Sequence, residues 1–133
     1  MIAVRRTLAT TALILFVACK GDSTGPVAGT LKVNLTTPSS GLDGAAIIVL
    51  TSPVPPRSVT PAAGLALWGG PVTTTTAKIV LTGTLATGTI LTLQVDDVNK
   101  VGQYGVAVQQ VADAGTFALR LPPLTGYSAT VTK

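Results

Sequence analysis

The side chains that most often perform catalysis are scarce in this chain. The sequence contains no histidine and no glutamate, and its acidic residues are Asp22, Asp43, Asp96, Asp97 and Asp113. Without histidine, neither a Ser-His-Asp nor a Cys-His site can be assembled. A pair of aspartates can in principle hydrolyse a glycosidic bond, but no spacing here positions two of them for that task. We predict that the protein is not an enzyme and has no cofactor, and an aspartate-based hydrolase is the least favoured hypothesis.

Asp96, Asp97 and Asn99 form the densest group of side-chain oxygens in the sequence. Calcium takes about six to eight oxygen ligands, so these three side chains, together with backbone carbonyls, are weak candidates for a cation site. The EF-hand loop, with its glycine and its final glutamate, is absent. Asp and Asn are also common turn residues, and we favour that structural role and predict no bound metal.

Trp68 is the single tryptophan and the one candidate for a ligand-binding aromatic residue. Sites that bind small molecules are lined by aromatic side chains with a few polar groups, and a glycan platform requires such rings to be exposed. Tyr104, Phe117 and Tyr127 fall on the predicted inward faces of strands. Trp68 stands at a strand end before Gly69-Gly70-Pro71, so it is either an exposed ligand contact or a core residue, and we favour the core.

Cys19 is the only cysteine, and the residues before it have the pattern of an export signal. Two arginines near the start precede an apolar run, Leu8–Val17, and small Ala18. A basic start, a short apolar stretch and a small residue at the cleavage point are typical of a secretory signal. A transmembrane helix would need about 20 apolar residues, so we predict a cleavable helical signal peptide over residues 1–18.

The stretch Phe16-Val17-Ala18-Cys19 resembles the lipobox of bacterial lipoproteins, although Phe16 stands where that family usually has leucine. The resemblance implies that the Cys19 thiol is alkylated with diacylglycerol and that the chain is cut just before it. It also implies an extracytoplasmic protein, lipid-anchored to the cell membrane or the outer membrane. The family pattern of two or three acyl chains would make that attachment durable, because one chain alone holds a protein only marginally.

The charge of the chain argues against nucleic acid as a partner. The formal net charge is +4, and loss of Arg5 and Arg6 with the signal peptide leaves seven cationic side chains against five aspartates. These cations are scattered along the sequence rather than clustered, whereas nucleic-acid binding uses a basic patch. We therefore expect the membrane, through acylated Cys19, and an unknown envelope protein or glycan as partners.

The remainder of the chain reads as a tether followed by an all-β domain. Residues 19–28 contain Gly and Pro and predict a lipid-anchored tether with a reach of roughly 15 Å. From residue 29 to 133, apolar and polar residues alternate in short runs, as in Leu31–Thr36 and Ile90–Val95. Turn signals recur about every ten residues, which is typical of antiparallel sandwiches and barrels. We predict an antiparallel two-sheet β-sandwich of eight or nine strands.

Individual strands follow from apolar and β-branched runs. Ala45–Thr51 is apolar on both faces, which is typical of a central strand, whereas the prolines of Ser52–Pro61 indicate a loop or a frayed edge. A run of threonines favours one long strand from Val72 to Thr82. Thr116–Leu121 alternates and predicts another strand. The side chains predicted to be buried in that last strand are Phe117, Leu119 and Leu121.

The domain resembles immunoglobulin-like and cohesin-like sandwiches, with Gly88–Val95 similar to a cohesin core strand, although the immunoglobulin Cys-Trp-Cys framework is absent. The leading hypothesis is a lipid-anchored, non-enzymatic envelope protein that acts through protein contact. Its predicted edge strands contain few charged residues, so a partner could bind by adding a strand to a sheet. Lys78 and Arg120 are the charged residues that could instead protect these edges. The alternative is a surface carbohydrate-binding module centred on Trp68.

Overall fold

A computed structural model describes residues 25–133, which form two antiparallel sheets of four strands each. The strands are β1 Gly29–Thr36, β2 Asp43–Thr51, β3 Ser58–Pro61, β4 Leu65–Trp68, β5 Thr76–Leu85, β6 Gly88–Val95, β7 Gly105–Asp113 and β8 Ser128–Thr132. A short 3₁₀ helix, Val98–Gln103, connects β6 to β7. The prediction of an all-β, two-sheet sandwich is confirmed. The predicted signal peptide over residues 1–18 and Cys19 lie outside the described residues.

The chain passes repeatedly from one sheet to the other. The first sheet has the order β3-β6-β1-β8 and the second has the order β4-β5-β2-β7. Among consecutive strands, only β4 and β5 are neighbours in the same sheet. β2 is central, as predicted, because it pairs with β5 and β7. In the immunoglobulin arrangement the first two strands share a sheet, so the resemblance to that family does not extend to the strand order.

The core lies between the sheets and is built by the alternating side chains that the sequence predicts. Leu91, Leu93 and Val95 all point inward, as predicted, and are at most 2% exposed. Burial of an aliphatic side chain of this size contributes about 1.5–3 kcal/mol. The other large core residues, each at most 2% exposed, are Leu31, Val33, Leu35, Ile48, Leu50, Ile79, Leu81, Leu85, Ile90 and Val111.

Ile90 is buried although it neighbours buried Leu91 in sequence. The register between β1 and β6 shifts here, since Val33 lies opposite Leu91 while Asn34 lies opposite Thr89. Such a bulge inserts one unpaired residue into a strand and changes which face the following side chains occupy. The simple alternation therefore fails at one position and resumes beyond it.

The predicted long strand from Val72 to Thr82 is wrong at both ends. β5 begins at Thr76, and it continues through Gly83 as far as Leu85. Gly83 adopts φ +127°, and a Cβ atom there would lie 2.4 Å from the Gly64 carbonyl oxygen. Because the backbone just before β4 approaches so closely, this position within the strand requires glycine.

The predicted strand Thr116–Leu121 is also wrong. Its one sheet contact is an isolated bridge between Leu119 and Ala112. The side chains predicted to be buried are the most exposed large apolar groups of the region, with Phe117 81%, Leu119 58% and Leu121 85% accessible. The alternating pattern is present, but the segment lies at the outer edge of β7, where no other element covers these side chains.

Candidate functional site

The two outer faces of the sandwich differ in chemistry. The outer face of the first sheet, here named the polar face, carries Thr30, Lys32, Asn34, Ser58, Thr60, Thr89, Thr92, Gln94, Thr130 and Thr132. Several of these side chains bond to one another: Asn34 Nδ2 donates to Thr132 Oγ1 at 3.0 Å, and Thr89 Oγ1 donates to Asn34 Oδ1 at 2.8 Å. These hydrogen bonds join side chains of neighbouring strands across the polar face.

The outer face of the second sheet, here named the apolar face, has the opposite character. One cross-strand row runs over all four strands, with Trp68 opposite Val80, Val80 opposite Ile47, and Ile47 opposite Gln110. Lys78 is the charged side chain among the outward residues of these strands. The row beside it consists of Ala66, Thr82, Ala45 and Ala112.

Trp68 belongs to this face rather than to the core. Its side chain is 59% exposed, so the favoured prediction of a core role is wrong. The indole Nε1 donates to Thr82 Oγ1 at 2.8 Å, and this bond ties the ring to the neighbouring strand. The bond satisfies the one polar atom of the indole and leaves the rest of the ring as an apolar surface.

A segment after β7, Phe117–Leu121, forms the margin of the apolar face and is here named the apolar segment. Asp113 N donates to Ala118 O at 2.9 Å, and Arg120 N donates to Val111 O at 2.8 Å. These two bonds hold the segment alongside the outer edge of β7. The apolar segment is therefore placed by backbone pairing while its large side chains stay accessible.

Two grooves lie between the apolar segment and the sheet. The first has a volume of about 180 Å³ and an almost wholly apolar lining that includes Ile47, Val80, Ala112 and Leu119. The second, of about 400 Å³, runs beside Phe117 and is lined by Gly44, Ala45, Thr82, Gly83, Thr84, Ala114 and Phe117. Small residues form the floor of this groove, and a Cβ atom on Gly44 would lie 2.7 Å from Ala114 Cα.

The apolar segment is anchored to the fold through Asp43, whose side chain is 0% exposed. Arg120 donates to Asp43 Oδ1 through Nε at 3.1 Å and Nη2 at 2.9 Å. Tyr127 Oη donates to Asp43 at 3.0 Å and Thr37 Oγ1 donates at 2.7 Å, both to Oδ2. The bond to Asp43 is the main reason why the pKa of Arg120 is raised. Every oxygen of this buried carboxylate is partnered, as a buried charge requires.

A sharp turn precedes the apolar segment, and Asp113 organises it. Asp113 Oδ1 accepts from Gly115 N at 2.8 Å and from Thr116 N at 2.9 Å. These backbone bonds, that of Thr116 first, hold the pKa of Asp113 below its usual value. Phe117 N donates to Asp113 O at 3.0 Å, which closes the turn.

Phe117 completes this turn in the left-handed region, with φ +58°. That conformation costs a non-glycine residue about 1–2 kcal/mol, and bulky residues rarely adopt it. The strain coincides with an 81% exposed aromatic side chain. An exposed phenylalanine at a position suited to glycine points to a role for the side chain itself.

The predicted oxygen cluster is divided among separate partners. Asp97 Oδ1 caps the 3₁₀ helix by accepting from Asn99 N at 3.0 Å and also accepts from Val27 N at 3.2 Å. The Val27 bond is the main reason why the pKa of Asp97 is lowered. Asp96 pairs with Arg57. Asn99 Oδ1 accepts from Lys133 Nζ at 3.1 Å. These bonds fit the structural role that we favour for the three residues.

Within residues 25–133 no group of three or more His, Cys, Asp or Glu side chains lies close enough to hold a metal ion. In the same part of the chain, no helix has the length and apolar character needed to span a membrane. Comparison with protein-family models, curated proteins and solved structures found no match to this chain. The apolar face and the apolar segment are therefore the features on which a functional argument rests.

Sequence reasoning missed this site for a specific reason. It identified Trp68 as a candidate ligand contact but favoured a core role, and it assigned Phe117 and Leu119 to the core. It gave Arg120 an edge-protecting role, whereas this side chain is held by Asp43 and Asp113. No local pattern links an aspartate and an arginine that lie 77 positions apart.

Proposed function

We propose that this protein is a lipid-anchored, non-enzymatic component of the cell envelope that acts by protein contact through its apolar face. The observation that carries the proposal is the exposure of Trp68, Phe117 and Leu119 on the outer side of the second sheet. Together these side chains present several hundred Å² of apolar surface. Continuous apolar patches of several hundred Å² mark interaction sites on soluble domains.

The contrast between the two outer faces supports this interpretation. If the domain tolerated exposed apolar groups generally, they would be scattered over both sheets, and single exposed apolar residues need no explanation. Instead the polar face carries hydroxyl and amide side chains, such as Thr30 and Gln94, that bond to each other at 2.9 Å. Val27, Leu42 and Val54 are also exposed, but each lies outside the strands, and among the described residues no large exposed apolar side chain lies on the polar face.

The position of the predicted anchor also favours a protein partner over the anchoring bilayer. The chain enters the sandwich at Gly29, at the same end as the 3₁₀ helix, because Val98 N donates to Val27 O at 2.8 Å. Phe117 lies beside Asp113, which is opposite Asp43 in the register of β2 and β7. Asp43 is at the end of β2 that lies away from the 3₁₀ helix. The nine residues of β2 span about 30 Å. With a tether reach of roughly 15 Å, a membrane attached through Cys19 lies near the Gly29 end, away from Phe117.

The proposal can be tested with the full-length, tagged protein in its own membranes. Proteins crosslinked to the wild type are compared with those crosslinked to a Phe117→Asp/Leu119→Asp double variant. The matched control is a Thr30→Asp/Thr130→Asp double variant, which adds the same charge to the polar face. We expect the wild type and the control to retain their crosslinked products and the apolar-face variant to lose at least 90% of them. Equal products from all three proteins would contradict the proposal.

A second candidate, a carbohydrate-binding module, is favoured by one observation. Trp68 is 59% exposed and its indole is positioned by Thr82, as a sugar-stacking ring would be. However, its cross-strand neighbours are the apolar Val80 and Ile47, and sugar recognition also requires convergent polar groups. Polysaccharide binding that disappears in Trp68→Ala, with thermal unfolding unchanged, would support this candidate over protein contact.

A further inference from the structure

We infer that the apolar face binds a second copy of this chain, forming a symmetric face-to-face dimer. The inference rests on the proposed function, because it names the partner for the same surface. Three properties of the face carry it: a projecting side chain with a matching groove, a low content of charge, and an area close to that of a standard interface.

The apolar face carries both a projection and a depression of similar size. Phe117 projects at the end of the second sheet and is 81% exposed. The groove between Leu119 and the sheet has a volume of about 180 Å³ and is lined by Ile47 and Val80. Apolar cavities of about 150 Å³ accommodate benzene, which corresponds to the ring of phenylalanine. The ring of one copy therefore fits the groove of another.

Symmetry permits both contacts at once. In a two-fold dimer the same patch serves both copies, so a residue that touches a site on its partner is matched by the reverse contact. An axis lying in the interface midway between Phe117 and the groove places each ring over the partner's groove. One geometry thus covers Phe117 and fills the groove in both copies.

The low charge of the apolar face is compatible with a second copy as its partner. A self-binding surface meets identical charges, and like charges placed opposite each other are costly. Among the outward residues of the second sheet Lys78 is charged, while Gln110 and Thr82 supply neutral hydrogen-bonding groups. Arg120, at the margin, is held by Asp43 and Asp113. The nearly neutral face is suited to a copy of itself and offers little to a partner selected by charge.

The area is close to what a stable dimer needs. Standard interfaces bury about 800 Å² on each partner. The exposed Trp68, Phe117 and Leu119, with the half-buried Val80, Ile47 and the adjacent alanines, present on the order of 600 Å² per copy, the low end of the standard range.

The test uses the full-length protein produced in two differently tagged forms in the same cells. The photoreactive amino acid p-benzoylphenylalanine replaces Leu119 in one form, and the membranes are irradiated before analysis. The control places the same amino acid at Lys32, on the polar face. We expect a product of twice the monomer mass that contains both tags from position 119, and at least tenfold less from position 32. Phe117→Asp in both forms should reduce the product at least tenfold, with thermal unfolding confirming that the variant is folded.

The other outcomes separate the dimer from the broader proposal. A product that contains one tag and a different protein would overturn the dimer and leave protein contact through the apolar face standing. If position 119 gave no more crosslinked product of any kind than position 32, both the dimer and protein contact through the apolar face would be overturned. A double-tagged product that survives Phe117→Asp would overturn the insertion of Phe117 into the partner's groove.

Discussion

Arg120 Nη2 lies 2.9 Å from Asp43 Oδ1, and this bond joins residues that are 77 positions apart in the chain. Asp43 begins β2, and Arg120 belongs to the apolar segment. Because the Asp43 side chain is 0% exposed and also accepts from Thr37 and Tyr127, it holds the segment against the end of the sandwich. The position of the exposed apolar segment therefore depends on the hydrogen bonds of the buried Asp43 carboxylate.

Asp43→Asn is expected to destabilise the protein by about 3 kcal/mol, because breaking a buried ion pair leaves an incompletely compensated polar group. The matched control is Asp96→Asn, which removes the exposed pair with Arg57, whose side chains are 67% and 54% exposed. Exposed pairs contribute about 0–1 kcal/mol. The free energy of unfolding of both variants is measured in urea. An equal decrease in the two variants would contradict a central role for Asp43.

Phe117→Gly is expected to leave the protein as stable as the wild type or to stabilise it by up to about 1 kcal/mol. Glycine relieves the left-handed strain of about 1–2 kcal/mol, and its greater freedom in the unfolded chain offsets about 0.5–1 kcal/mol. The same variant should lose the double-tagged crosslink.

Phe117→Ala is the control for this prediction, since alanine removes the ring but retains the strain of φ +58°. It should lose the crosslink without any gain in stability. Both variants are compared by urea unfolding. A loss of more than about 1 kcal/mol in Phe117→Gly would show that the ring contributes to the fold of the monomer, because removing a well-packed aromatic ring costs about 3–5 kcal/mol.

The protein is expected to lose stability in acid because of the lowered pKa of Asp113. Hydrogen bonds from Thr116 and Gly115 lower the pKa of this carboxyl group in the folded protein. In the unfolded chain its pKa is about 3.9, so the unfolded state takes up the proton first as the pH falls. The stabilisation is therefore present above about pH 4 and is lost as the pH falls through the lower pKa of the folded state.

The measurement is the urea midpoint at neutral pH and at steps below about pH 4, for the wild type and for Asp113→Asn. The variant cannot ionise at this position and should lose less stability than the wild type over the same acid range. A carboxyl resonance of Asp113 followed by NMR should titrate below the pKa of about 3.9 of an ordinary aspartate. If the urea midpoints of the two proteins fell in parallel with pH, the ionisation of Asp113 would not contribute to the loss of stability in acid.

Cys19→Ser is expected to abolish metabolic labelling with palmitate, because this is the only thiol in the chain. The variant should also accumulate as the uncleaved precursor, since the lipobox resemblance implies that cleavage follows lipid attachment. Gel mobility and membrane fractionation check the result. Palmitate labelling that persists in the variant would disprove the lipobox interpretation.

Sequence reasoning succeeded where local periodicity decides the outcome. Leu91, Leu93 and Val95 occupy one face of a strand because successive side chains point to opposite sides of a sheet. The same reasoning failed for Ile90, because a bulge depends on the partner strand and its register. It also placed the end of β5 too early, because the need for Gly83 arises from the approach of Gly64.

The all-β architecture, the inward faces of most strands and the absence of histidine chemistry can be predicted from residue types and their alternation alone. The exposure of Phe117 and Leu119 and the position of Trp68 outside the core depend on the folded arrangement of the sheets. Alternation identifies an apolar side of a segment but not whether another element covers it. Covering depends on how sheets stack and on bonds such as that between Arg120 and Asp43, which form between distant parts of the chain.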